Sequence, residues 1–359
     1  MNRTDPILDR HILEVIPLVS PRTVREAVPL TRENEGLVRT SRDALADVLD
    51  GRDDRVVVVV GPCSVHDTDA AFEYACRLEA LARGLHEDLL VVMRVYFEKP
   101  RTTVGWKGLV NDPRLDGSHH VDEGLMVARR LLVAILSLGL PVGCEFLDPT
   151  TPHYIADAVT WGAIGARTSQ SQVHRQLASG LSMPVGFKNS IDGGVQSAVD
   201  GVSVAARPQS FLGVDDDGSA AVISTSGNPD CHVVLRGSDA GPNYAKSHVE
   251  DALERLSRAG FRRRVAIDAS HGNSGKDHCR QAVVVREIAE RISQGESGLA
   301  GVMLESFLLA GRQDLAPGNV SPLRYGQSIT DSCIGWDETS ELLVTLARAV
   351  SQRRATLEL

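Results

Sequence analysis

Short β-branched apolar runs alternate along this chain with longer stretches in which apolar residues recur every three or four positions. Eight runs read as strands. They are VVVVVG (Val56 to Gly61), LLVVMRV (Leu89 to Val95), PVGCEF (Pro141 to Phe146) and AIGARTS (Ala163 to Ser169), then PVGFKN (Pro184 to Asn189), HVVLRG (His232 to Gly237), RVAIDAS (Arg264 to Ser270) and GVMLES (Gly301 to Ser306). Their near-continuous apolar character indicates burial on both faces, as in a parallel sheet. Helical patterns follow most of them, including DAAFEYACRLEALARGL, DEGLMVARRLLVAILSLGL, TPHYIADAVTWG and DETSELLVTLARAV. Glycine often closes such patterns. Eight strand–helix units predict an α/β fold, a (β/α)8 TIM barrel. The alternative is an open doubly wound sheet. No G-x-G-x-x-G follows the first strand, which counts against a dinucleotide-binding version.

Two pieces lie outside the bare barrel. Residues 1–52 precede the first strand and form an N-terminal extension; residues 53–359 form the barrel. The stretch PQSFLGVDDDGSAAVISTSG alternates on either side of DDDG and predicts a β-hairpin insert at about 208–228, before strand six. A regulatory or interface role and a purely structural one are both open for these additions.

Composition changes the picture in three ways. The 38 basic and 47 acidic residues give a net charge of −9, which argues against nucleic acid as a partner. The chain lacks an apolar run of the roughly 18–20 residues that spans a bilayer, and its start lacks a signal-peptide pattern. A cytoplasmic protein with reduced thiols is expected, and six scattered cysteines without a C-x-x-C pair agree with that.

In such barrels chemistry sits at the C-terminal ends of strands. Read in order, those ends carry Cys63, Arg94, the loop Glu98-Lys99-Pro100-Arg101-Thr102-Thr103, Glu145, Arg167, Lys188, Arg236, Asp268-Ala269-Ser270-His271 and Glu305, followed by Asp331. Arg94, Lys99, Arg101, Arg167, Lys188 and Arg236 would converge on one rim of an acidic protein. Cations so placed repel one another and need anionic ligands. Arginine grips phosphate or carboxylate bidentately. The cluster therefore points to a small substrate bearing both groups, or to two phosphorylated substrates. Cys63, His271, Glu305 and Asp331 together read as a mixed metal site. The set suits Mn, Fe, Co or Zn as a divalent ion without choosing among them. Its use would be Lewis-acid polarisation of a carbonyl. His119 and His120 read as solvated loop residues and His174 as helix packing. His66 is a candidate supporting residue near Cys63, and Trp106 reads as an anchor for the loop after strand two.

GPCSVHD, RVYFEKPRTTVGWKGLVNDP, GAIGARTSQSQVHRQLASGLSMPVGFKN, NPDCHVVLRG, IDASHGNSGKDHCRQ and YGQSITDSCIGW occur here in order. Together they resemble the class I 3-deoxy-D-arabino-heptulosonate 7-phosphate (DAHP) synthases, in their feedback-regulated branch. The resemblance covers nearly the whole chain. It implies condensation of phosphoenolpyruvate with erythrose 4-phosphate, the first step of the shikimate pathway. It implies Cys63, His271, Glu305 and Asp331 as metal ligands. It assigns Arg94, Lys99, Arg167, Lys188 and Arg236 to phosphoenolpyruvate, and Arg101, Thr102, the Pro100 carbonyl and Asp331 to erythrose 4-phosphate. Lys99, Glu145 and Lys188 become the catalytic groups. An aromatic amino acid effector is implied near Asp9, Pro152, His153, Ser182, Phe211 and Gly213. Tyrosine is favoured, because tyrosine-sensitive relatives tend to carry glycine where Gly213 lies. His153 departs from the glutamine usual there. A homodimer or homotetramer is expected. The competing readings are a sister synthase that uses arabinose 5-phosphate and an inactive paralogue.

Overall fold

The computed structural model describes residue 7 and residues 10–101, 103–315 and 323–357. After helix α1 (Pro21–Ala27), Thr31 caps helix α2 (Arg32–Asp50) by accepting from Asn34 N–H at 3.2 Å. Gly51 ends α2 with φ +74°, a left-handed turn that glycine adopts without a Cβ penalty. The first valine run then forms β1 (Val56–Gly61), buried at every position. It is followed by α3 (Thr68–Ala82), β2 (Leu89–Arg94), α4 (Val121–Ser137), β3 (Val142–Glu145), α5 (Pro152–Ile155), β4 (Trp161–Ile164), α6 (Gln172–Gly180), β5 (Val185–Lys188) and α7 (Gln196–Ala205). A hairpin, β6 (Gln209–Val214) and β7 (Ala220–Thr225), interrupts the alternation. The series resumes with β8 (His232–Leu235), α8 (Lys246–Arg258), β9 (Val265–Asp268), α9 (His278–Ser293), β10 (Leu299–Glu305) and α10 (Trp336–Leu357).

Eight strands close into a parallel barrel in the order β1-β10-β9-β8-β5-β4-β3-β2, and the hairpin stands apart as its own two-stranded sheet. The (β/α)8 barrel expected from the sequence is the observed fold. Closure pairs Val57 with Gly301 and runs in register to Gly61 with Glu305. That register brings the ends of β1 and β10 level at one mouth. Among the described residues no helix is long and apolar enough to cross a membrane.

Two elements differ from the sequence reading. The fourth strand lies at Trp161–Ile164 rather than at Ala163–Ser169. Trp161 is bulky but faces inward, where its Nε1–H donates to His232 Nε2 at 3.2 Å. From Gly165 the chain turns, with Thr168 N–H donating to Gly165 O at 3.0 Å. The helix read in TPHYIADAVTWG shrinks to one turn of α5 and a short 3-10 turn at Ala156–Ala158, because Trp161 and Gly162 belong to β4.

Helix α2 of the N-terminal extension is packed against the barrel. Leu45, Val48 and Leu49 of α2 pack with Val57, Val59, Leu90, Val92, Trp161, Val234, Ala300 and Met303, so this helix seals the floor of the barrel. The hairpin turn is stabilised by Asp215, whose Oδ1 accepts from Asp217 N–H and Ser219 N–H at 3.0 and 2.9 Å. Its tip meets α1 through Arg22–Asp217 (2.7 Å) and Arg25–Asp216 (2.6 Å).

Candidate active site

Parallel strands deliver their last residues to one rim, and a cavity of about 450 Å³ opens there. Arg94, Lys99, Pro100, Arg101, Glu145, Arg167, Lys188, Arg236, His271, Glu305 and Asp331 all line it. Thr102 lies outside the described residues. Cys63 is fully buried just beneath, its thiol 3.2 Å from Asp331 Oδ2.

Each buried cation here has its own restraint. Arg94 donates to Pro62 O (3.1 Å), Cys63 O (3.0 Å) and Glu305 Oε1 (2.8 Å), and its guanidinium lies 3.6 Å over the Tyr96 ring. Lys188 Nζ stands 3.4 Å from both Glu145 Oε2 and Asp268 Oδ2. Burial works to raise the Glu145 carboxyl, but Lys188, Arg94 and Lys99 outweigh it and hold it below its ordinary value. Asp268 is also held well below the carboxylate range, because His271 and Lys188 overcome its burial. Lys99 Nζ lies 3.0 Å from Cys63 Sγ and 3.5 Å from Asp331 Oδ2. Burial opposes its charge, yet Cys63, Asp331 and Glu305 raise its pKa above normal, so it stays an ammonium.

The predicted metal set is brought together unevenly. Ligand atoms of Cys63, Glu305 and Asp331 lie within 4.8 Å of one another. His271 joins through Glu305, with Nε2 at 3.6 Å from Oε1. Its other nitrogen is fixed by Asp268 Oδ2 at 2.9 Å and Ser270 Oγ at 2.7 Å, as metal-binding imidazoles commonly are. His271 holds φ +52°, a strained left-handed conformation for a side-chain-bearing residue. Burial and Glu305 push the Cys63 thiol up to about 12. A divalent cation relieves that concentration of negative charge, so the sulfur, oxygen and nitrogen donors fit such an ion. Asp277, His278 and Cys279 form another close group, but they are consecutive residues at the start of α9 and Asp277 is occupied capping Cys279 N–H.

A second cavity, of about 780 Å³, lies outside the barrel wall between α2, α5, α6 and the hairpin. Pro152, His153, Ser182 and Phe211 line it. Gly213 lies beside this wall, two residues from Phe211 on the same face of β6: a Cβ there would meet Ile223 Cγ1 at 2.7 Å, and Ile223 is a lining residue. Asp9 lies outside the described residues.

Of the other histidines, His119 and His120 are exposed. His174 is buried on α6 and bonds Leu147 O at 2.7 Å. His66 packs edge-on against Phe307. Trp106 anchors its loop through Asp112 O at 2.8 Å. Sequence reasoning passed over Tyr96 and named Asp268 and Glu98 at the strand ends without giving either a role. Glu98, next to Lys99, accepts from Leu147 N–H, Asp148 N–H and Thr151 Oγ1 at 3.3, 3.2 and 3.0 Å. Its only signal was its place in the EKPR loop.

A family model described as the DAHP synthetase I family matches residues 28–344. The chain belongs to the DAHP synthetase I family. A Corynebacterium glutamicum relative, named phospho-2-dehydro-3-deoxyheptonate aldolase, is 54% identical over 352 residues, covering 97% of this chain and 95% of the relative. An Escherichia coli K12 relative with the same name and the qualifier Phe-sensitive is 51% identical over 346 residues, covering 96% and 98%. The solved structure of phospho-2-dehydro-3-deoxyheptonate aldolase from Francisella tularensis SCHU S4 superposes with a TM-score of 0.93 at 49% identity, covering 96% of this chain and 100% of that one.

Burial raises Glu98 from its ordinary value near 4.5 to about 7. The fold therefore favours its protonated form. The stabilisation is complete below pH 4.5 and is lost as pH rises through about 7. Glu98→Gln abolishes this term. The stability difference between wild type and variant, from urea unfolding at each pH, should change by on the order of 3 kcal/mol across that window. A flat difference would place the Glu98 pKa near normal. Contributions from buried histidines are common to both proteins and cancel.

Proposed function

We infer that the protein is a 3-deoxy-7-phosphoheptulonate synthase. It condenses phosphoenolpyruvate with erythrose 4-phosphate to give 3-deoxy-D-arabino-heptulosonate 7-phosphate and phosphate, the entry step of the shikimate pathway to aromatic amino acids. The observation that carries the reading is the convergence of Arg94, Lys99, Arg101, Arg167, Lys188 and Arg236 on one cavity whose floor holds a thiol and carboxylates.

The residue roles are those the resemblance implies, and the shared cavity supports them. Arg94, Arg167, Lys188 and Arg236 take the phosphate and carboxylate of phosphoenolpyruvate, and Arg101 with Thr102 takes the phosphate of erythrose 4-phosphate. Holding both polyanions on fixed cations offsets their repulsion and orients the enol carbon toward the aldehyde. Lys99, kept protonated, donates to the aldehyde oxygen as charge develops there. Glu145 and Lys188, 3.4 Å apart, position the water that captures C2. Cys63, His271, Glu305 and Asp331 would hold a divalent ion, which when bound supplies Lewis-acid polarisation of that aldehyde oxygen.

The 780 Å³ cavity is proposed to bind an aromatic amino acid effector, tyrosine, with the N-terminal extension and hairpin as its regulatory walls. Self-association as a homodimer or homotetramer is supported by the outer hairpin face. There Leu212 and Val222 are register partners, 88% and 71% exposed. Sedimentation equilibrium measures this, and a monomer at micromolar concentration would refute it.

Phosphate release from phosphoenolpyruvate should require erythrose 4-phosphate, cease after exhaustive chelation and return with a divalent ion; Cys63→Ala should not be rescued at the same ion concentration. Full turnover without metal would exclude the ligand assignment. Arg101→Ala should raise KM for erythrose 4-phosphate by roughly tenfold or more, and Arg236→Ala should do so for phosphoenolpyruvate, since a charged hydrogen bond contributes about 1.5–3 kcal/mol. Equal effects on both substrates would show the partition to be wrong. Tyrosine should inhibit at millimolar concentration, and Gly213→Ser should weaken that inhibition by driving Ile223 toward the ligand. Inhibition by phenylalanine alone would overturn the choice of effector, and no inhibition by any aromatic amino acid would overturn the site.

A further inference from the structure

Arg236 differs from its buried neighbours. Arg94 and Lys188 are held by carboxylates, whereas among the described residues Arg236 forms no ion pair. Among the described residues its guanidinium donates only to Gly237 O, at 3.3 Å. A charge left available to a ligand must be aimed by some other means.

Three buried asparagines supply it. Asn189, directly after β5, accepts from Arg236 N–H at 2.8 Å and from Asn243 Nδ2 at 3.1 Å. Its own amide donates to Ser190 O and Gly237 O at 3.0 and 3.1 Å. Asn243 accepts from Gly237 N–H at 2.7 Å and passes its backbone N–H to Asn273 Oδ1 at 2.8 Å. Asn273 donates to Leu235 O at 3.1 Å and Asp268 O at 2.8 Å, and its backbone N–H donates to Arg236 O at 3.2 Å. The backbone N–H and C=O of Arg236 and of Gly237 are thereby all occupied. Gly237, at φ +68°, lies so near the next loop that a Cβ would stand 2.4 Å from Gly272 C.

We propose that Asn189, Asn243 and Asn273 are positioning residues that aim Arg236 at the phosphate of phosphoenolpyruvate. The proposal rests on the functional reading above. A carboxamide suits the task because it offers two donors and an acceptor without charge. An aspartate would lose the donors and would place a carboxylate beside a cation reserved for substrate.

The test compares Asn243→Ala and Asn243→Asp with Arg236→Ala and Asn228→Ala. Asn228 is an equally buried amide that donates to Ala178 O, Leu181 O and Met183 O, away from the cavity. Each Asn243 variant should raise KM for phosphoenolpyruvate about tenfold, the effect of one lost buried hydrogen bond. KM for erythrose 4-phosphate and kcat should stay within about twofold. Equilibrium dialysis should show the same loss of phosphoenolpyruvate binding. Asn228→Ala should lower the thermal midpoint and leave that KM unchanged. The proposal is overturned if the Asn243 variants behave like Asn228→Ala, if both KM values rise together, or if both variants are insoluble, which would make the network a folding requirement. Should Arg236→Ala itself spare phosphoenolpyruvate, the substrate partition fails instead, and the two failures are distinct.

Discussion

Charge cannot be buried in a protein unless opposite charge or dipoles accompany it, and the upper end of this barrel is built around that constraint. Arg94 is 1% exposed inside the strand ring, and it persists as a cation because Glu305, two carbonyls and the face of Tyr96 surround it. The closed strand order then sorts the remaining charges. β4, β5 and β8 are consecutive neighbours and bring Arg167, Lys188 and Arg236 to one arc of the rim. β9, β10 and β1 are also consecutive, and they bring Asp268, Glu305 and Cys63 to the adjoining arc. One cavity thus has a cationic side suited to phosphate and a thiol–carboxylate side suited to a metal ion. Lys99 stands at the second side and Glu145 is held near the first.

Much of this was legible in the sequence because barrel topology turns strand ends into neighbours. The run VVVVVG gave its strand without error, since five consecutive valines have no other economical burial. Arg94, Glu145, Lys188 and Glu305 each close a strand, so their convergence followed once the eight strands were counted. The fourth strand slipped because its apolar pattern continues through a glycine-led turn, and because Trp161 gave no sign of which way it faced. The three asparagines were invisible for a different reason. Asn189 meets Arg236 across 47 positions and Asn243 across 54, and no local spacing encodes such a contact. Glu98 was seen only as part of a loop; its three donors come from a segment about 50 residues further on.

The helix that seals the barrel floor has a consequence for how the molecule is made. Residues of α2 leave the ribosome before any strand, yet their apolar stripe is covered by side chains from β1, β2, β4, β8 and β10. The last of these, Met303, lies more than 250 positions downstream of Leu45, and ring closure itself joins Val57 to Gly301. Nearly the whole polypeptide must therefore be available before Leu45, Val48 and Leu49 can leave water. Such long-range pairing makes folding slow, because loop-closure entropy is lost before the contacts that compensate it form. During synthesis this stripe remains a sticky amphipathic surface, and the nascent chain needs protection from aggregation until its final strand has emerged.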